Sequence, residues 1–306
     1  GLDYPPVMAY IEWLLGVVSR AYEPASMARG YETLSHRRFM RGSVLLLDLI
    51  FISALKDEAL FAPALILVDH GHFQYNCVPL GLTLWCAKTF DTRPALAAFL
   101  FTLAVNSKQT ALYFAPAVFC EFFGYCCRRP SEFLRLGVVV VATLGVIWAP
   151  VAGADALARC FPFERGLFQD KVANFWYLAQ VVFRARDTLP QNVVIKLATL
   201  LTAVAAFPVS IVRGRRVFKG ATDTRGFLVS MHVSALAFFL FSYHVHEKGI
   251  LVPLAPLLAL GSPRSTFERV YVAAFGLVAT FTLAPLLFYE GLQVPYFACI
   301  AIFVLL

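Results

Sequence analysis

The sequence predicts an all-α polytopic membrane protein, and three observations carry that prediction. Of its 306 residues, 59% are hydrophobic and only 15% are charged, against roughly 45–50% and about 25% in soluble domains. Mean hydropathy is +0.71, and with 29 Phe the chain holds more apolar surface than a soluble globule of this length can cover. Runs free of Asp, Glu, Lys and Arg recur at lengths suited to helices crossing about 30 Å of hydrocarbon, without the period-two alternation of barrel strands. This composition excludes a cytosolic enzyme, a disordered chain and a nucleic-acid binder, despite the net charge of +7. In a membrane protein a basic balance reflects cytoplasmic loops. The seven Cys (Cys77, Cys86, Cys120, Cys126, Cys127, Cys160 and Cys299) are odd in number and scattered, with no CxxC. They indicate neither a disulfide framework nor a zinc site.

Residues 6–20 (PVMAYIEWLLGVVSR) read as an interfacial amphipathic helix inside a first loop over 1–41. Val7, Ile11, Leu14, Leu15 and Val18 share a stripe, Glu12 and Arg20 lie off it, and the segment is too short and too charged to span. Apolar runs follow at 42–55, 59–69, 77–87, 95–106 and 110–125, then at Leu136–Ala154, Leu197–Val212, Gly226–His246, 249–260, Val270–Tyr289 and 292–306. The expectation is a single transmembrane domain over 1–306 with about eleven spans. The stretch 155–190, mixed in charge and rich in aromatics, is expected to be a long, partly helical loop. Because the sequence opens at Gly1 without Met and stops at Leu306 within an apolar run, it is expected to lack an N-terminal span and a C-terminal tail. Asp48 and Glu121 fall inside spans, where a charge is costly. Glu121 is expected to snorkel at a span end; Asp48 is expected to line the interior or be protonated, and carries no assigned chemistry.

Two kinds of loop alternate between the runs. One is short and basic and collects 13 Lys and Arg, from Lys56 and Lys88 through Arg128 and Arg213 to Arg269. The other holds polar words: LDYPP (2–6), DHGHFQYN (69–76), NSKQ (106–109), RGLFQDKVANFW (165–176) and HVHEK (244–248). With the spans above, all five words fall on one membrane face, which carries only Lys108 and Lys248 among its short loops. The positive-inside rule puts the basic loops in the cytoplasm and the polar words across the membrane.

HVHEK is not a zincin motif, because HExxH would need His where Ile250 stands. The pairs His70/His72 and His244/His246 could bind a metal, but Gln74, Asn76 and Lys248 beside them suit phosphate or sugar oxygens better. The reading therefore assigns no metal and no cofactor. P-loop, GxGxxG, GxSxG and DxD patterns are absent. Asp3 precedes two prolines that stiffen its segment; it reads either as an N-cap or turn residue or as a single base that takes an acceptor proton. A phosphate leaving group needs cations and donors rather than an acid, and Lys108, Arg165, Lys171, His246 and Lys248 share its face. Taken singly, Asp69, His70, Gln74, Tyr75, Asn76, Glu247 and Asp170 read as caps, interfacial residues or local ion pairs. Their convergence on one face favours a site.

At these words the chain resembles the dolichyl-phosphate-glucose glucosyltransferases of the endoplasmic reticulum: LDYPP before an amphipathic helix, DHGHFQYN, LAVNSKQTALYFAPA, FPFERGLFQDKVANFW and FSYHVHEKGIL. The resemblance implies a GT-C fold, a metal-independent inverting transfer and a lumenal site. It implies that Asp3 is the base and that His246, Glu247 and Lys248 lie near the donor phosphate. It implies that the loop with Arg165 and Asp170 borders a donor groove, to which Tyr4, Asp69, His70, His72, Gln74, Tyr75, Asn76, Gln109, Gln169, Asp170, Lys171 and Asn174 contribute. Gln169 departs from the Glu common in the family. The partners implied are dolichyl phosphate glucose, a dolichyl-pyrophosphate-linked oligosaccharide and membrane lipid. Gly71 between the histidines and the DKVAN run resemble the branch that adds the first glucose in α-1,3 linkage, with the second-glucose branch as the alternative. A secondary transporter with Asp48, Glu121 and the histidines along an ion path, and a non-catalytic lipid-binding subunit, are the readings from other classes.

Overall fold

The computed structural model describes residues 5–28, 30–31, 33–55, 62–151, 172–184 and 188–305. Every regular element among them is helical. Helix α1 (Pro6–Tyr22) starts on a proline, which sacrifices no hydrogen bond at the first helical position. Val7 N–H donates to Asn106 O at 2.9 Å and Tyr10 Oη to Ile147 O at 2.7 Å, laying the helix across the ends of two others. Trp13, Leu14, Val17 and Val18 stay exposed, an apolar face suited to a bilayer interface. Helix α2 (Leu34–Ile52) is capped by Thr33, whose Oγ1 accepts from His36 N. That cap starts the helix inside the 1–41 loop expected from sequence.

After α3 (Pro63–Ile66) the chain widens into a π-helical turn, Leu67–Phe73. Then come α4 (Cys77–Thr89), α5 (Pro94–Val105), a 3₁₀ turn (Gln109–Phe114) running into α6 (Ala115–Arg128), and α7 (Pro130–Trp148). Beyond them lie α8 (Phe175–Phe183), α9 (Gln191–Phe218), α10 (Thr224–Phe241), a 3₁₀ turn (Glu247–Ile250) and α11 (Leu251–Leu258). The last three are α12 (Thr266–Thr282), α13 (Ala284–Tyr289) and α14 (Gln293–Leu305).

Among the described residues, four helical stretches are long and apolar enough to cross a membrane: Gln109–Arg128, Pro130–Val151, Gln191–Phe218 and Thr224–Phe241. The expected count of about eleven is not confirmed among these residues. Several apolar runs fold as shorter helices, and Pro285, in the first turn of α13, splits the run at 270–289 by interrupting the hydrogen-bond ladder. These apolar helices make the chain an all-α membrane protein.

Phe90, Phe114, Phe227, Met231 and Leu254 are fully buried where α4, α6, α10 and α11 meet, and Phe90 contacts Phe122, Tyr125 and Phe227 edge-on. Helices α6 and α9 touch backbone to backbone at Gly124 and Gly214: a Cβ on Gly124 would lie 2.2 Å from Gly214 O. Small residues permit this approach between apolar helices. Beside that contact Glu121 does not snorkel. It is fully buried and accepts from Arg213 Nε at 2.8 Å and Nη2 at 2.7 Å, while Arg213 Nη1 donates to Asp223 Oδ2 at 2.6 Å. A bidentate partner within reach serves a buried carboxylate better than a stretched stem to a distant interface.

Candidate functional site

Among the described residues, three of the polar words, DHGHFQYN, NSKQ and HVHEK, come together. In the π-helical turn Gln74 N–H reaches back to Asp69 O at 3.2 Å, and Phe73 takes a positive φ of 71°. That left-handed residue turns the chain sharply, folding Gln74, Tyr75 and Asn76 back beneath Asp69. Buried Asp69 accepts from Asn76 Nδ2 at 2.7 Å and from Cys77 N at 2.8 Å. Asn76 Oδ1 then faces Lys108, whose Nζ donates to it at 2.6 Å and to Gln74 Oε1 at 3.2 Å.

Lys108 sits on a loop that the buried Asn106 organises. Asn106 Nδ2 donates to Thr102 O at 2.8 Å, and its Oδ1 accepts from Trp148 Nε1 at 2.7 Å. Burial lowers the Lys108 ammonium to about 8; nearby Asp69 opposes the shift, and the positive charge of Lys248 reinforces it. Two cations are therefore held near one another, with neutral amide oxygens as the direct partners of Lys108. Met8, Glu12, Phe73, Gln74, Tyr75 and Lys108 line a cleft of about 160 Å³ there.

The histidines separate. His70 Nε2 lies 2.5 Å from Asp48 Oδ2, giving a partner to the carboxylate to which the sequence assigned no chemistry. His72 Nδ1 meets Glu290, and its Nε2 lies 3.1 Å from Lys248 Nζ. Lys248 is also 3.9 Å from Glu247. Tyr75 Oη hydrogen-bonds Ser43 Oγ at 2.9 Å. Gln109 opens the 3₁₀ turn after Lys108, and His246 immediately precedes the turn that carries Lys248. Asn174 is a helix cap: its Oδ1 accepts from Trp176 N and Tyr177 N at 3.1 and 3.2 Å. Asp3, Tyr4, Arg165, Gln169, Asp170 and Lys171 lie outside the described residues.

Asp48, Asp69 and Cys77 have donor atoms within 4.8 Å of one another. Both Asp69 oxygens are already engaged by N–H donors, so hydrogen bonding accounts for that cluster. The sequence reading missed Glu290 and Asn106. A lone Glu between two long apolar runs was the available signal for the first, since nothing else in that stretch is charged.

Fold and site define the class: an all-α membrane protein with a small cleft lined by Lys108, Glu12 and amide and aromatic side chains, and with Lys248 held beside His72 of the DHGHFQYN segment. The sequence comparisons narrow the class. The chain belongs to the ALG6, ALG8 glycosyltransferase family, whose model matches residues 1–306. It is 37% identical to a protein of Dictyostelium discoideum named probable dolichyl pyrophosphate Man9GlcNAc2 alpha-1,3-glucosyltransferase, over 100% of this chain and 65% of that protein. It is 34% identical to the Schizosaccharomyces pombe protein of the same name, over 98% of this chain and 66% of the relative. It is 35% identical to the Gallus gallus dolichyl pyrophosphate Man9GlcNAc2 alpha-1,3-glucosyltransferase, over 97% of this chain and 64% of the relative. The chain thus spans just under two-thirds of the length of these relatives.

Proposed function

We propose that the chain forms the membrane catalytic domain of a glucosyltransferase. It moves glucose from dolichyl phosphate glucose to the lipid-linked oligosaccharide Man9GlcNAc2 in α-1,3 linkage, adding the first glucose. The observation that carries this reading is the polar cluster in which Lys108 Nζ bonds Asn76 and Gln74 while Lys248 Nζ lies 3.1 Å from His72 of the same DHGHFQYN segment. Holding two cations together is unfavourable until an anion sits between them, and a phosphodiester supplies that charge. The names of the relatives support the acceptor and the linkage.

In the proposed reaction the 3-hydroxyl oxygen of a terminal mannose attacks C1 of the donor glucose. The C1–O bond to phosphate breaks with inversion, dolichyl phosphate departs as the anion, and Asp3 takes the hydroxyl proton. Lys108 and Lys248 neutralise the departing phosphate, so no general acid is needed opposite it. The remaining parts of the reading are a GT-C-type bundle of about eleven spans, residence in the endoplasmic reticulum membrane and a lumenal recess. Tyr4, Gln74, Tyr75, Gln109, Gln169 and Lys171 contribute to the groove.

The test is Asp3→Asn in the full-length protein, assayed with both lipid substrates, with loss of turnover at preserved folding as the expected result. Wild-type turnover in that variant removes the mechanism. Offering the acceptor with and without its first glucose separates the two branches: transfer only to the unglucosylated form supports this assignment.

A further inference from the structure

We propose that Glu290 is a positioning residue for the donor phosphate: it fixes His72, and through His72 the Lys248 ammonium. The inference rests on the glucosyltransferase reading above. Glu290 meets His72 Nδ1 while His72 Nε2 stands 3.1 Å from Lys248 Nζ. A lysine ammonium has only donors to offer, so Nε2 must be the unprotonated nitrogen. Nδ1 then carries the proton and donates it to Glu290. The carboxylate thereby selects one tautomer and one ring orientation, as a carboxylate does behind a metal-bound histidine.

The turn that carries Glu290 is itself held. Gly291 adopts a φ of 76°, Gly291 N–H bonds Phe288 O at 3.1 Å, and Leu292 N–H bonds Leu287 O at 2.9 Å, with the Leu287 side chain fully buried. Leu292 presses on Gly71, where a Cβ would lie 3.0 Å from Leu292 Cδ1. The glycine between the two histidines is thus the surface on which the Glu290 turn docks. The helical pair α13–α14 lies about 220 residues from the motif it serves, and His72 and Glu290 are 218 apart in sequence. This contact ties the end of the described chain to the DHGHFQYN segment.

Lys248 has a second carboxylate nearby, Glu247 at 3.9 Å, but that contact does not fix its direction. Losing the Glu290 link should weaken donor binding more than the chemical step. The experiment measures donor KM and kcat in the full-length protein for Glu290→Ala, Glu290→Gln, His72→Ala and the double variant, with dolichyl phosphate glucose as the varied substrate. Glu290→Ala is expected to raise donor KM about tenfold with kcat within about twofold. Glu290→Gln, which keeps an acceptor oxygen, should recover most of that loss, and the double variant should be no worse than His72→Ala. An unchanged donor KM, or effects of Glu290→Ala and His72→Ala that multiply, overturns the proposal.

A wild-type protein that transfers nothing from this donor instead overturns the glucosyltransferase reading, and the relay is then decided by ¹⁵N-histidine NMR of the same proteins. His72, assigned by its loss in His72→Ala, should show the Nδ1-protonated tautomer, replaced by a tautomer mixture in Glu290→Ala. An identical His72 signal in both proteins sinks the proposal.

Discussion

Two charged clusters sit on the helical stretch Gln109–Arg128, one about two-thirds of the way along at Glu121 and one at its start beside Lys108, about 20 Å apart along its axis, and they handle charge in opposite ways. In one, Arg213 gives Glu121 two hydrogen bonds and binds Asp223 through both a carboxylate oxygen and the backbone carbonyl, so the guanidinium is neutralised on the spot. In the other, Lys108 spends its hydrogen bonds on Asn76 and Gln74 while Lys248 adds a second positive charge. The first cluster is a closed circuit that joins α6, α9 and the start of α10. In the second the direct partners of Lys108 are neutral amides, and the carboxylates Asp69 and Glu247 act only from further away. Burial of charge therefore says little about role; whether partners exhaust the charge says much more.

The sharpest way to break this comparison is to open the closed circuit. Arg213→Ala strands a buried carboxylate at Glu121 and should cost about 3–5 kcal/mol, seen as loss of folded protein in detergent and a lower unfolding midpoint. A midpoint near that of the wild type would show that the cluster is not structural. In the other cluster Lys108→Ala should do the reverse. Turnover with the lipid donor should fall about 10²–10³-fold, as when one preorganised donor to a developing anion is removed, while the unfolding midpoint stays close to wild type.

The Lys108 ammonium also sets a pH limit. Its pKa is lowered to about 8, so the group is cationic below that value and neutral above it. Donor KM should rise as pH climbs through about 8, and Lys108→Arg should carry the limb upward, because guanidinium stays charged throughout. A profile flat across this range in the wild type would remove Lys108 from phosphate neutralisation.

Smaller effects sharpen the structural half. Gly124→Ala places a Cβ 2.2 Å from Gly214 O and should cost about 1–3 kcal/mol as α6 and α9 are forced apart, measured by thermal unfolding with transfer activity lost in proportion to folded protein. Asp223→Ala removes an N-cap that accepts from Gly226 N and should cost about 1 kcal/mol; its carboxylate is half exposed, so the ion-pair share is modest.

The helix at 6–20, the boundaries of α4 and α5 and the start of α9 after Pro190 were legible because uninterrupted apolar runs and proline starts act locally; the end of α9 at Phe218, six residues past the expected Val212, was not. Clustering of DHGHFQYN, NSKQ and HVHEK was legible because spans alternate sides. The span count is not confirmed among the described residues, since an apolar run of a given length folds as one long helix or as two short ones, as the break at Pro285 shows within 270–289. Partner choice was equally hidden: neither Asp48 with His70 nor Glu290 with His72 follows from spacing.

By itself the sequence determined the solvent this protein requires and the chemical alphabet of its rim, because hydropathy and residue type are properties of the chain alone. Only the tertiary structure decided which charges cancel and which meet neutral partners. That depends on distances between segments as remote as 121 and 213 or 72 and 290, which no local pattern encodes.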